Sequence, residues 1–262
     1  MDERAERVIM VEGLSVRYDD EVILDDVSFE VRRGEIVIIA GASGSGKSTL
    51  LRHMIGLARP YSGRVLIDGI DITSASEAEL REVRKGIGML FQSSGLLGSM
   101  TLAENIDLPL SEFTDLPVPI RETIVRVKLA MVGLSGYEGH LPSELSGGMR
   151  KRAGIARAMA LDPDMLFLDE PFAGLDPVTS AGLELLVKRI NQGMGTTMVI
   201  VSHELEAIFR LAQRMVMLDK GKKGIIAEGD PKVLKENPPS PQVRHFFNRE
   251  IEEKNEGEDH GV

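Results

Sequence analysis

Five residues in this sequence could do chemistry together: Lys47 and Ser48 in "GASGSGKST", Asp169 and Glu170 at the end of "MLFLDE", and His203 after "MVIVS". The first string fits G-x-x-x-x-G-K-[ST], the pattern of a loop that cradles phosphate. Gly41, Gly44 and Gly46 free the backbone so that amides can turn inward around phosphate oxygens. Lys47 supplies a fixed positive charge, and the Ser48 hydroxyl can ligate Mg2+. A flexible Gly/Ser loop is the plainer reading, but a strand ("IVIIA") precedes the string and Leu50, Leu51, Met54 and Ile55 mark a helix after it. Asp169 ends an apolar run, where a carboxylate is unfavourable unless it meets a cation such as water-held magnesium. Glu170 is then placed to polarise an attacking water as general base. Taken alone, the pair could simply begin a loop. His203 shares the address of a strand end, which favours a γ-phosphate contact over a structural imidazole. Gln92, in "IGMLFQSS", reads from spacing equally well as an ordinary loop amide.

A second anion site is written into "LSGGMRKRAGIARAMA". Ser146, Gly147 and Gly148 lead into a helix-forming run, and a helix N-terminus attracts negative charge. One chain therefore carries two candidate phosphate grips.

The elements that must hold these residues are legible as periodicity. "IVIIA", "MLFL" and "MVIVS" are short apolar runs expected for central strands of a parallel sheet. Leu205, Ile208, Phe209 and Ala212 follow at helical spacing. Strand-then-helix alternation predicts an α/β fold with ligands at the carboxyl ends of the strands. The opening "IMVEGLSVRYDDEVILDDVSFEVRRGE" alternates and carries turn residues, which predicts antiparallel strands, and "GRVLIDGIDI" adds another. From about residue 97 to 160 the periodicity turns helical. The predicted organisation is one domain over 1–240, with a core and β subdomain at about 8–95 and 161–235 and a helical subdomain at about 96–160. An acidic tail, 241–262, follows. In it "SPQVRHFFNREIEE" puts Val243, Phe246, Phe247 and Ile251 near one helical face; the segment either stays unfolded or clips onto a partner subunit through Phe246 and Phe247.

Composition narrows the function. The chain has 262 residues, 41 acidic and 31 basic, for a formal charge of −10, which argues against nucleic acid as a partner. It has no run of 18 apolar residues to span a bilayer, and "MDERAERVIM" lacks a secretory core. There is no cysteine, hence no disulfide or thiolate metal site, which suits the cytosol.

The order of these motifs resembles that of the nucleotide-binding subunit of ATP-binding cassette (ABC) transporters, over residues 8–234. The resemblance covers the Walker A loop at 41–48, the Q-loop glutamine Gln92, an LSGGM form of the signature at 145–149 and Walker B at 165–170. It continues through the D-loop "PFAGLD", ending in Asp176, and His203 of the H-loop. It implies a RecA-like P-loop core with an N-terminal antiparallel β subdomain and an inserted helical subdomain. It implies ATP bound by Tyr18, Gly41, Ala42, Ser43, Gly44, Ser45, Gly46, Lys47, Ser48 and Thr49, with Mg2+ held by Ser48, Gln92 and Asp169. Glu170, His203 and Gln92 are then the catalytic set for hydrolysis to ADP and phosphate. Two copies pair head to tail, so Ser146, Gly147 and Gly148 act on the ATP of the partner, and Asp176 reaches across the interface. Two residues keep a simpler alternative: Tyr18 as a strand tyrosine, and Asp176 as the N-cap of the helix begun by "DPVTS".

The strings "FQSSGLLGSMTLAENI", "LSGGMRKRAGIARAMALDP" and "DEPFAGLDPVTS" look like the Mce/Mla-type ATPases that drive lipid, in particular phospholipid, transport. That likeness implies a multispanning permease, an MCE-domain lipid-binding protein and a STAS-domain regulator as partners, with this subunit on the cytoplasmic face of the inner membrane. Leu96, Leu97 and Met100 would then receive the permease, or simply pack the helical lobe. Met149 departs from the Gln common after LSGG. The alternatives are a cassette for another substrate or a soluble non-transport cassette such as an iron–sulfur assembly ATPase. A P-loop small-molecule kinase or GTPase is disfavoured by Leu145 to Gly148 and by the lack of a guanine-binding N/T-K-x-D motif.

Overall fold

A computed structural model describes residues 6–249. The chain opens with β1 (Arg7–Tyr18) and β2 (Glu21–Arg32), antiparallel across the predicted turn, then runs into β3 (Ile36–Ala40), the phosphate loop and α1 (Lys47–Met54). β4 (Ser62–Ile67) and β5 (Ile70–Asp71) follow. The sequence suggested one strand for "GRVLIDGIDI"; the structure makes a hairpin of it, because Asp68 and Gly69 adopt φ 45° and 80°, as a tight two-residue turn requires. After α2 (Glu77–Lys85) and β6 (Ile87–Leu90) come α3 (Leu102–Phe113), α4 (Val118–Met131) and α5 (Gly147–Ala158). The chain then alternates: β7 (Met165–Asp169), α6 (Pro177–Met194), β8 (Thr197–Val201), α7 (Leu205–Leu211), β9 (Arg214–Asp219) and β10 (Gly224–Gly229). It closes with α8 (Pro231–Glu236) and α9 (Pro241–Asn248).

Two sheets result, ordered β2-β1-β4-β5 and β10-β9-β3-β8-β7-β6. The first is antiparallel; in the second, β6, β7, β8, β3 and β9 run parallel and β10 runs against them. β3 explains why the layers lie as they do. All five of its residues are buried, and successive side chains face opposite cores. Val37 and Ile39 join the layer that α1 and the antiparallel sheet cover, through Leu50, Leu51, Met54, Leu24 and Val65. Ile36, Ile38 and Ala40 join the layer of the other helices, with Ile106, Leu129, Ile155 and Leu183. The fold is α/β, with an antiparallel sheet and a helical lobe packed on a mainly parallel one. No helix among the described residues is long and apolar enough to cross a membrane.

The C-terminal segment departs from expectation. Instead of a polar tail, residues 241–248 form α9, capped by Ser240 Oγ accepting from Val243 N. Val243 is fully buried and Phe247 nearly so, stacked on Phe209 of α7 with ring centroids 5.6 Å apart. Phe247 thus packs on its own chain and is not available as a clip for a neighbour. Ile251, the fourth residue of that predicted face, lies outside the described residues.

Candidate functional site

β3 stops at Ala40, and the loop that follows is shaped by glycine. Gly41 has φ 140°, and a Cβ there would lie 2.3 Å from the carbonyl oxygen of Leu218 on β9. Gly46 caps α1 at φ 91°, where a Cβ would lie 2.7 Å from Leu24. Only glycine satisfies both the dihedrals and the close approach. The loop therefore delivers the N-terminus of α1, with its unpaired amides, to the carboxyl edge of the sheet.

Lys47 opens that helix, and its Nζ donates to the carbonyls of Gly41 and Ala42, each at 2.9 Å. Burial pulls the Lys47 ammonium below the ordinary lysine range, while Glu170 and Asp169 oppose that shift. Ser48 Oγ donates to Asp169 Oδ1 at 2.8 Å, joining the loop to the end of β7. Both are hard oxygen donors, and Gln92 lines the same cavity, so the set fits Mg2+.

Glu170, one residue past β7, is buried and held at φ 46°. Its amide donates to the Val201 carbonyl at 3.0 Å, and its Oε1 lies 2.9 Å from His203 Nδ1. Its other oxygen, Oε2, is buried without a protein partner. A buried carboxylate oxygen of that kind suits a donor that arrives with substrate, as an attacking water would. The neighbouring Glu204 carboxyl is raised above its usual range by burial, with His203 pulling the other way.

These residues border one cavity of about 1390 Å³, whose lining includes Gly41, Ala42, Ser43, Gly44, Gly46, Lys47, Ser48, Thr49, Gln92, Glu170 and His203. Asp169 stands behind Ser48, and Ser45 is buried beneath the loop. Tyr18 lies at the end of β1 and is half exposed, outside the lining. Ser146, Gly147, Gly148 and Asp176 are also outside it. Ser146 is exposed and caps α5, its Oγ accepting from Met149 N at 3.3 Å. Asp176 caps α6, its Oδ1 accepting from Val178 N and Thr179 N at 3.1 Å. Leu96 packs on the core, whereas Leu97 is exposed on a loop held by buried Asn105, which accepts from Leu97 N and donates to the carbonyls of Leu97, Met100 and Thr101.

Two features escaped the sequence reading. The far wall of the cavity comes from α9 and its end, through Gln242, His245, Phe246 and Arg249. Lys151 is buried on α5 and donates to the carbonyls of Gln92 at 2.6 Å and Glu170 at 2.9 Å. Burial holds its ammonium below the ordinary lysine range, opposed by Asp169 and Glu170. A signal for it existed: Gly148, Lys151 and Ile155 fall on one buried helical stripe, where a lysine needs partners.

Comparison with known proteins supplies the lineage. Residues 24–173 match a family model described as ABC transporter. The chain is 40% identical over 247 residues to the intermembrane phospholipid transport system ATP-binding protein MlaF of Escherichia coli K12, covering 94% of this chain and 91% of that one. It is 42% identical over 240 residues to the probable ribonucleotide transport ATP-binding protein mkl of Mycobacterium leprae, covering 92% and 68%. Among solved structures, the dimeric ATP-binding cassette MJ0796 in a post-hydrolysis state with ADP and Pi superposes with a TM-score of 0.78 at 31% identity, over 85% of this chain and 98% of that one.

Proposed function

The chain belongs to the ABC transporter family, as the ATP-hydrolysing subunit of a transporter, and from that premise we propose that its cargo is phospholipid. The observation that carries the proposal is the 40% identity to MlaF, spread over nearly the whole of both chains. The name of the mkl relative favours a second reading, ribonucleotide transport. Copurification from membranes tests both. The expected result is a multispanning permease in the complex and phospholipid in its bound-lipid mass spectrum. A complex without lipid whose ATPase responds to ribonucleotide cargo would overturn the phospholipid reading.

The proposed hydrolysis uses the cavity as follows. Lys47 and the loop amides hold the β- and γ-phosphates, giving up the two carbonyl hydrogen bonds that Lys47 makes within the loop. Magnesium, when bound, neutralises phosphate charge; Ser48, Gln92 and Asp169 are the residues that would hold it. Water attacks the γ-phosphorus in line, the bond to the ADP oxygen breaks, and the water's proton passes to Glu170 Oε2, the oxygen not engaged by His203. His203 thereby orients the carboxylate and stands beside the γ-phosphate.

A second copy is proposed to complete the site. In support, Ser146 and Gly147 are exposed at a helix N-terminus that does not share a cavity with the chain's own phosphate loop. ATP bound between them would draw two positive dipole ends together, and phosphate release would part them. Tyr18 stacks on adenine and Asp176 meets the neighbouring subunit in this reading. The permease, an MCE-domain protein and a STAS-domain regulator are the further proposed partners, on the cytoplasmic face of the inner membrane.

A further inference from the structure

The hydrolytic glutamate and the signature helix belong to different elements, yet one ammonium joins them. Lys151 Nζ, on α5, donates to the main-chain carbonyls of Gln92 and Glu170 at 2.6 and 2.9 Å. Both acceptors belong to residues that line the nucleotide cavity. Glu170 has a left-handed backbone, φ 46°, so the peptide bearing its carbonyl sets where its carboxylate points. A buried ammonium on that carbonyl fixes the peptide plane. The rest of α5 is pressed against the same loop. A Cβ on Gly154 would lie 2.7 Å from the Ser94 carbonyl oxygen, and Arg157 donates to the carbonyl of Gly95. Among the described residues, Lys151 is the basic side chain that donates to the Glu170 carbonyl.

We infer that Lys151 is a positioning residue for ATP hydrolysis: its ammonium ties the main chain of Glu170 and Gln92 to the helix that Ser146 caps, so that displacement of this helix displaces the hydrolytic carboxylate. Phosphate gripped at Ser146 is then felt at Glu170 of the same chain, which links the two half-sites of a dimer. The inference rests on the reading of Glu170 as the base.

Its test compares Lys151→Met, Glu170→Gln and the double variant in the full-length chain, reading kcat, KM for ATP, labelled-nucleotide affinity and Tm. Lys151→Met should lower kcat about tenfold or more and leave KM within about twofold, as misplacement of a reacting group does. In the Glu170→Gln background the same change should cost far less than it does in the wild-type chain, because the part of its effect that passes through the Glu170 carboxylate is already gone and only the Gln92 tether remains to lose. A double variant whose loss equals the full product of the two single losses would overturn the positioning of Glu170 by Lys151. Wild-type kcat in Lys151→Met beside an inactive Glu170→Gln would sink this inference and leave the base assignment standing; a fully active Glu170→Gln would sink both. Should the Met chain fail to fold, Lys151→Gln keeps an N–H donor on a shorter arm. Lowered kcat at unchanged ATP affinity supports the tether, and affinity falling in step with kcat refutes it.

Discussion

Glu170, the proposed general base, is held in a backbone conformation that disfavours a side chain, at φ 46°. Such strain is of the order of 1–3 kcal/mol and persists where the surroundings over-determine it. Here the Val201 carbonyl, His203 and Lys151 all grip the residue. Glu170→Gln keeps the shape and removes the basicity, so ATP affinity should be retained while turnover falls about 100-fold or more, the scale of general-base catalysis. Single-turnover kinetics with labelled ATP measures this. Lys47→Ala should act differently, weakening nucleotide affinity itself in an equilibrium binding titration, since the charge on the phosphates is lost before any chemistry. Lys47, Ser48, Asp169, Glu170 and His203 were readable because their side-chain types define a pattern. For Lys151 the stripe on α5 signals burial but not its partners, because its acceptors are main-chain carbonyls 59 and 19 residues away, and a carbonyl carries no residue identity.

Among the elements, β9 is fastened by a charge. Arg214 meets Glu35 with two nitrogens, at 2.8 Å each, and also reaches Glu228 on β10 and the Glu30 carbonyl on β2. The pair is mostly buried, and the guanidinium is driven well above its ordinary range, chiefly by hydrogen bonding to Glu35. Arg214→Met should therefore destabilise the chain by about 3 kcal/mol, chiefly because the Glu35 carboxylate would remain buried with no cation to meet it. Chemical denaturation reads that number, and ATP affinity in the surviving folded fraction should change little. The strands themselves were visible in the sequence as uninterrupted apolar runs, since both faces of β3, β7 and β8 are covered. The hairpin at Asp68 and Gly69 was not, because the second strand is only two residues long and too short to show a period.

At the scale of the molecule, the least expected feature is α9. Its apolar residues fall at helical spacing in a polar stretch, which left folding and an unfolded tail both open, and the contact that stabilises the helix, Phe209 against Phe247, comes from α7, an element earlier in the chain. Phe247→Ala should cost about 3 kcal/mol, the usual penalty for emptying a buried phenylalanine site. Because Phe246 borders the nucleotide cavity, loss of α9 docking should also raise KM for ATP. Thermal unfolding with and without nucleotide separates the two effects. The order of strands carries a consequence for biosynthesis. β3 emerges early, yet its neighbours in the sheet are β8 and β9, whose residues leave the ribosome about 160 to 180 positions later. A nascent chain halted before residue 197 should already display the whole phosphate-loop sequence and still fail to retain nucleotide, leaving an unpaired apolar strand for chaperones to shield.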